Sequence, residues 1–410
     1  DDEPGRHERA NRNWAVEGRG TAGSPNRGIG AREGKGMEDR LLETFLQLVR
    51  IDSETFHEGR VVEFVVGWTR DCGFEAYVDN AGKAVGGEAG NVYVRIPAAG
   101  VEAPPLLFCS HLDTVSPGRG VEPLVRGERV ISAGKTVLGA DCKAGVAVML
   151  ELIRLAGEGG FPHGPLEFLF TIAEEKQLQG VRNLEWERIR SRHAFVLDGS
   201  GGVGGIINAS PTQDNLEFVF TGRAAHAGVE PEKGINAIYG ACWAVSLMRL
   251  GRIDSETTAN VGIIRGGRAV NIVPDRAVVE GEVRSLDQEK LEEQRRSMIR
   301  AAMEAEAAVG VGVEVRTERA YEGFRIDPRD PLVLLAVEAG KAMGMRMEVR
   351  SSGGGSDANF LNASGIKALV LTMGSREAHT THEYLEIADL RRLERLCREI
   401  AGAAGRLRGK

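Results

Sequence analysis

Just after Met37, residues Leu41, Leu42, Phe45, Leu48 and Val49 fall on one face of a 3.6-residue period, which predicts an amphipathic helix. VVEFVVGWTRDCG reads as a second helix, NVYVRIP as a strand and PLLFCSH as a buried strand. A long helix follows in KAGVAVMLELIRLAGEG, then another apolar strand in PLEFLFTIAEE. This alternation over residues 37–209 predicts an α/β fold, with helices flanking a mostly parallel central sheet. Over residues 210–323 the order becomes LEFVFTGRAAH (strand), INAIYGACWAVSLMRL (helix), TANVGIIRGG and AVVEGEVRSL (strands), DQEKLEEQRRSMIRAAMEAEAAVG (helix) and VEVRTERAYEG (strand). That β-α-β-β-α-β order predicts a ferredoxin-like α+β unit. Residues 324–410 return to the first style with PLVLLAVEAGKAM and KALVLTMG. The simplest topology is one catalytic domain interrupted by an inserted lid.

Composition narrows the function classes. A chain of 410 residues exceeds one ordinary core and suits two compact units. Its formal charge of −7, from 52 basic and 59 acidic residues, argues against nucleic acid as the main partner, because phosphate neutralisation needs a basic face. No apolar run has transmembrane length, so no membrane partner is expected. Five dispersed cysteines (Cys72, Cys109, Cys142, Cys242, Cys397) without CxxC spacing suit a reducing cytosol. Residues 1–36 are rich in Gly, Arg and Asn with little to bury, and are expected to be a disordered extension, with Met37 the natural start.

The candidate chemistry collects at strand ends. In LLFCSHLDTV an apolar strand ends in His111, and Asp113 lies on the same side two residues on, as a carboxylate that orients an imidazole does. A capped strand end reads equally well. LGADCKAG places Asp141 before a helix, as a ligand or as an N-cap, with Gly145 leaving room for close approach. FLFTIAEE ends in Glu174 and Glu175, adjacent carboxylates that need a cation or a shared proton unless they are simply solvated. Asp198 ends HAFVLDGSGG, as a ligand or as a turn-forming Asp-Gly, and His379 and His382 follow KALVLTMG as ligands or surface histidines. A parallel sheet would converge these strand ends. Two histidines and three carboxylates suit two borderline divalent ions with one carboxylate bridging, and the remaining Glu is free to act as general base.

These motifs, with AHAGVEPEKGINAI, the SGGGSDAN loop and AHTTHEYLEI, resemble the dinuclear-zinc aminoacylase/carboxypeptidase G superfamily, and within it the peptidase T (tripeptide aminopeptidase-like) branch. The likeness runs over residues 37–405 with the motifs in order. It implies His111 and Asp198 on one metal, Glu175 and His379 on the other, Asp141 bridging, Asp113 orienting His111 and Glu174 as general base. It favours His379 over His382. It further implies a homodimer formed through the lid, with His226 reaching substrate across the interface and Asn271 and Arg284 binding substrate from the lid. Arg284 is chemically suited to a peptide's terminal carboxylate. Gly354 and Ser356 would line the same cleft. The cofactors implied are two zinc ions, with cobalt or manganese as alternatives, and the substrate a short peptide cleaved at its N-terminal bond. Two departures from the branch are Cys142, where a second Asp is usual after Asp141, and KQLQG after Glu175. Alternative functions are an N-acyl amino acid amidohydrolase, a dipeptidase or carboxypeptidase, and a non-catalytic metal-binding interaction protein.

Overall fold

The computed structural model describes residues 37–407, so the expectation for residues 1–36 lies outside the described residues. A nine-stranded sheet forms the centre. Strands Ala76–Val78, Val92–Ile96, Leu166–Thr171, Leu106–His111, His193–Gly199, Lys367–Thr372, Gly205–Ser210 and Phe324–Arg325 lie in that order, and Glu348–Ser351 pairs with Gly205–Ser210. The middle four strands are mutually parallel, while antiparallel pairs flank them on both sides. The carboxyl ends of the middle four therefore open on one edge, where a parallel sheet presents its ligand site.

Leu106–His111 is buried at all six positions because both sheet faces are covered. Leu106 and Phe108 join a core with helices Met37–Val49, Ala140–Gly157 and Ile387–Ala403. Leu107 and Cys109, pointing the other way, join a second core that includes Ala358 and Leu361 of helix Asp357–Ala363. Gly145 brings helix Ala140–Gly157 against this sheet. A Cβ there would lie 2.5 Å from both the Leu197 carbonyl and the Ser110 hydroxyl. The close approach puts the start of that helix over the strands that end in His111 and Asp198.

Residues 212–321 build a separate antiparallel sheet of Gly251–Arg252, Thr257–Gly266, Arg276–Ser285, Thr212–Thr221 and Gly312–Tyr321, in that spatial order. Helices Ala237–Leu247 and Gln288–Val309 pack on it around their own apolar core. With the two-residue Gly251–Arg252 set aside, this is the ferredoxin-like strand order.

One strand end is corrected, and one sheet is added to the sequence reading. The strand read through His226 stops at Thr221, because Gly222 passes so close to the Ile235 carbonyl that a Cβ would sit 2.0 Å from it. The helix read from Lys143 does run regularly from there, since Asp141 (φ −80°, ψ 103°) and Cys142 (φ −113°, ψ 20°) ahead of it have non-helical angles. An unexpected four-stranded sheet joins Ser375–Arg376, Tyr384–Glu386, Arg129–Ser132 and Pro123–Arg126. It fixes both ends of the loop that carries His379. Among the described residues no helix is long and apolar enough to cross a membrane.

Candidate active site

His111, Asp141, Glu174, Glu175, Asp198 and His379 line one cavity of about 520 Å³ at the carboxyl edge of the central sheet. His111 Nε2 lies 3.3 Å from Asp141 Oδ1 and 3.6 Å from Asp198 Oδ1. His379 Nε2 lies 2.9 Å from Glu175 Oε1 and 3.5 Å from Asp141 Oδ2. The two oxygens of Asp141 thus face two different imidazoles. Donor atoms of His111, Asp141, Cys142 and Asp198 form one group within 4.8 Å of one another, those of Asp141, Glu175 and His379 a second, and those of His111, Glu174 and Glu175 a third. Asp141 belongs to the first two.

The local chain explains each position. Gly139, not Asp141, stands at the N-cap of helix Ala140–Gly157. The turn before it is held instead by Glu383, which accepts from the Gly139 and Asp141 amides at 2.7 and 2.9 Å. Asp113 is fully buried and accepts from the Thr55 hydroxyl and from the amides of Glu174 and Glu175 at 2.8, 3.0 and 3.2 Å. His111 Nδ1 meets the Asp113 carbonyl oxygen at 2.9 Å, closer than the 3.5 Å to its carboxylate. Orientation of this ring thus comes first from the Asp113 backbone, while the carboxylate locks the Glu174–Glu175 corner.

Charge is out of balance in this cavity. Burial, followed by the Asp198 carboxylate, pushes Glu174 well above the usual carboxylate range. Burial raises Asp198 to about 7. Against the upward pull of burial, His111 and His379 hold Asp141 well below the usual range. Contacts with Asp141 and then Glu175 raise His379 to about 10. Four carboxylates around two imidazoles are the electrostatics of a cation site, since protons are taken up where positive charge is wanted. The imidazole and carboxylate donor set, in two groups sharing one acid, fits a pair of borderline divalent ions.

Cys142 stands beside this cluster as a neutral thiol. Its Sγ donates to the Leu197 carbonyl at 2.6 Å and accepts from Ser110 Oγ at 2.9 Å, and burial pushes its pKa well up. The thiol therefore fills the space under Asp141 without adding charge.

Residues 107–402 match the family described as peptidase family M20/M25/M40. The chain belongs to this family. As an M20/M25/M40 peptidase it is a metal-dependent hydrolase acting on peptide bonds. It is 42% identical over 353 residues to the protein YqjE of Bacillus subtilis, covering 86% of this chain and 95% of that one. The aminopeptidase PepT of Bacillus cereus superposes with a TM-score of 0.81 at 39% identity, over 90% of this chain and all of that one. A tripeptidase of Staphylococcus aureus gives 0.85 at 36%, over the same shares.

Of the remaining sequence candidates, Arg284, Gly354 and Ser356 also line the cavity. The Ser356 hydroxyl is spent on capping helix Asp357–Ala363. His226 and Asn271 are exposed outside its walls, side by side on the inserted unit, where the Ala227 amide donates to the Asn271 carbonyl. His382 is exposed as well and takes no part in any of these donor groups. Glu383, Asp357, Glu58 and Arg350 were not singled out from sequence. Glu383 could have been found as an acid four residues after a candidate ligand. The other three carry no local signal.

Glu58 supports the Glu174 corner from below. It is fully buried, and its Oε1 accepts from the Phe56 and Ala173 amides at 3.0 Å, whereas Oε2 has no hydrogen-bond partner among the described residues. Burial and then Asp113 raise it from 4.5 to about 7. In the window from about pH 5 to 7 the unfolded chain has released a proton that the folded chain keeps, so stability falls as pH rises, and the deficit is complete above the folded pKa. Glu58→Gln keeps the acceptor and removes the titration. It is expected to flatten that fall and to add on the order of 2 kcal/mol at about pH 8. Urea unfolding of both proteins at about pH 5 and about pH 8 reads the difference; parallel pH profiles would contradict it.

Proposed function

We propose that this peptidase removes the N-terminal residue from short peptides, tripeptides above all, with two divalent metal ions and Glu174 as general base. The observation that carries the reading is the pair of donor groups sharing Asp141, with Glu174 on the wall of the same cavity. The PepT aminopeptidase and the tripeptidase, at 39% and 36% identity, support the substrate class.

In this reading His111 and Asp198 would hold one ion, Glu175 and His379 the other, and Asp141 both. The imidazole and carboxylate set favours zinc, with cobalt or manganese as alternatives. When bound, the ion pair supplies polarisation of the scissile carbonyl and acidifies the attacking water. The chain's own residues do the rest. The Asp113 carbonyl holds the proton of His111 on Nδ1, which leaves Nε2 as the donor facing the cavity. A carboxylate oxygen of Glu174 takes the water's proton and passes it to the leaving amine, a task suited to an acid whose burial raises its pKa. The test is hydrolysis of di- and tripeptides by protein loaded with zinc, cobalt or manganese, with N-acyl amino acids in parallel. Peptide turnover is expected to dominate. Turnover of the acylated amino acids alone would reassign the substrate.

The same proposal includes a homodimer through the lid, residues 210–323. Helix Ala237–Leu247 exposes Tyr239, Trp243 and Leu247, and strand Thr257–Gly266 exposes Ile263 and Ile264. Beyond its pairing at Thr258 and Ala259, the outer edge of that strand has no strand partner among the described residues. An apolar face beside an open edge is a surface that a second copy covers. His226 and Asn271 would then reach the partner's cavity. Trp243→Glu is expected to yield monomers without turnover, checked by light scattering alongside peptide assay. Full activity in a verified monomer rules out the cross-subunit role. Five cysteines free of disulfides support a cytosolic site of action.

A further inference from the structure

The sheet ladder stops short of the two strand-end residues that meet in the first donor group. Strands Leu106–His111 and His193–Gly199 pair in parallel as far as Cys109 and Val196. One residue further on stand Ser110 and Leu197, and one beyond those His111 and Asp198. At that level the strands are joined through Cys142. Its Sγ donates to the Leu197 carbonyl at 2.6 Å, accepts from Ser110 Oγ at 2.9 Å and rests on Met373 Sδ at 3.7 Å. Ser110 Oγ also lies 3.1 Å from the Cys142 carbonyl and 3.3 Å from that of Leu197. Ser110, Cys142 and Leu197 are all fully buried. Each is the chain neighbour of a donor: Ser110 precedes His111, Leu197 precedes Asp198, and Cys142 follows Asp141.

The sulfur also lies within 4.8 Å of the donor atoms of His111, Asp141 and Asp198, close enough for a fourth ligand. Its hydrogen bonds point elsewhere. A carbonyl oxygen can only accept, so the sulfur against Leu197 carries a proton, whereas a metal-bound sulfur has given it up. We infer that Cys142 is a positioning residue. Without touching an ion, its thiol sets the separation of His111, Asp141 and Asp198, and with it the affinity for the ion these three would hold. This role presupposes the pair of ions proposed above. Gly145, one turn along the helix, comes against the same carbonyl and hydroxyl. Helix and strands are therefore in close contact on both sides of the thiol, and a change there is passed to the backbone rather than absorbed.

Cobalt is the probe, because its absorbance reports both binding and the kind of ligand. Wild type, Cys142→Ala, Cys142→Ser, Ser110→Ala and His379→Ala are equilibrated with cobalt against a competing chelator. Wild type is expected to hold two ions. Cys142→Ala should bind one of them about 10- to 100-fold more weakly, the range for losing a group that orients metal ligands. Cys142→Ser, which keeps a donor and an acceptor, should recover most of that loss. Ser110→Ala loosens the same junction from the other strand and should weaken the same ion to a lesser degree, so a Cys142→Ala that fails to fold still leaves a test. The ion is identified by adding His379→Ala, which alone should leave one ion; the double variant should bind that ion more weakly by the same factor. A loss confined to the ion held by Glu175 and His379 overturns the role. Unchanged affinity in Cys142→Ala, with only a lower Tm of the metal-free protein, makes the thiol core packing and overturns it too. So does a serine variant no better than alanine. A near-ultraviolet sulfur-to-cobalt band that Cys142→Ala abolishes would make Cys142 a ligand instead. Wild type that holds fewer than two cobalt ions brings down the ion-pair reading and this role together.

Discussion

Glu174→Gln is expected to lower kcat on a tripeptide by at least about 10²-fold while the bound metal is unchanged. The substitution keeps shape and one acceptor oxygen but cannot take a proton. The reason to expect a loss in kcat is that the corner carrying Glu174 is held from several sides. Its amide donates to Asp113 Oδ1, the Glu175 amide to Asp113 Oδ2, and the Ala173 amide to Glu58. Ala173 takes a left-handed conformation, φ 47°, which turns the chain as it leaves the buried strand. With its backbone fixed, Glu174 faces the cavity whether or not its side chain can ionise, so the Gln variant should present a correctly placed but inert group. Glu175→Gln is the contrasting control. Glu175 lies 2.9 Å from His379 Nε2, and its substitution should reduce bound metal. Elemental analysis beside steady-state kinetics separates the cases, and wild-type kcat in Glu174→Gln would remove the general base from the mechanism.

The sequence signals that worked were those with a local cause. Strands buried on both faces must be apolar throughout, so the polar residue that ends each one stands out, and His111 and Asp198 were legible for that reason. The ferredoxin-like order was legible because each element carries its own period and turn. What could not be read is held by contacts far apart in sequence. Glu383 fixes the Asp141 turn from 242 residues away, and no periodicity reports such a bond. Asp141 therefore looked more like an N-cap than a ligand, whereas the structure puts Gly139 at the cap.

Short strands escaped for a related reason. Ser375–Arg376 and Tyr384–Glu386 span two and three residues, too few to show alternation, and they exist because Arg129–Ser132 offers an edge to pair with. Arg350 sits in a strand whose burial pattern is that of a solvated edge. Its position on the cavity follows only from the pairing of Glu348–Ser351 with Gly205–Ser210. The conflict between local pattern and final position is greatest at the site, where residues are selected for chemistry over packing.

Asp141→Ala is expected to release both metal ions, whereas His379→Ala should release one. The difference follows from how the two residues are placed. Asp141 Oδ1 faces His111 and Oδ2 faces His379, so one carboxylate is common to both donor groups. His379 belongs only to the second, on a hairpin loop where more than half its side chain is exposed. Removing Asp141 would also take away the carboxylate that lies between the two imidazoles, and with it negative charge that would offset two ions held there. Dialysis against a weak chelator followed by elemental analysis reads the stoichiometry. Thermal unfolding supplies an independent measure, since a ligand that binds only the folded state raises Tm, and its loss lowers it. Asp141→Ala should therefore show the lower Tm of the two in added metal and the same Tm with or without it. Asp141→Ala retaining a full complement of ions would mean that the two donor groups work separately, and that the carboxylate between them is not shared.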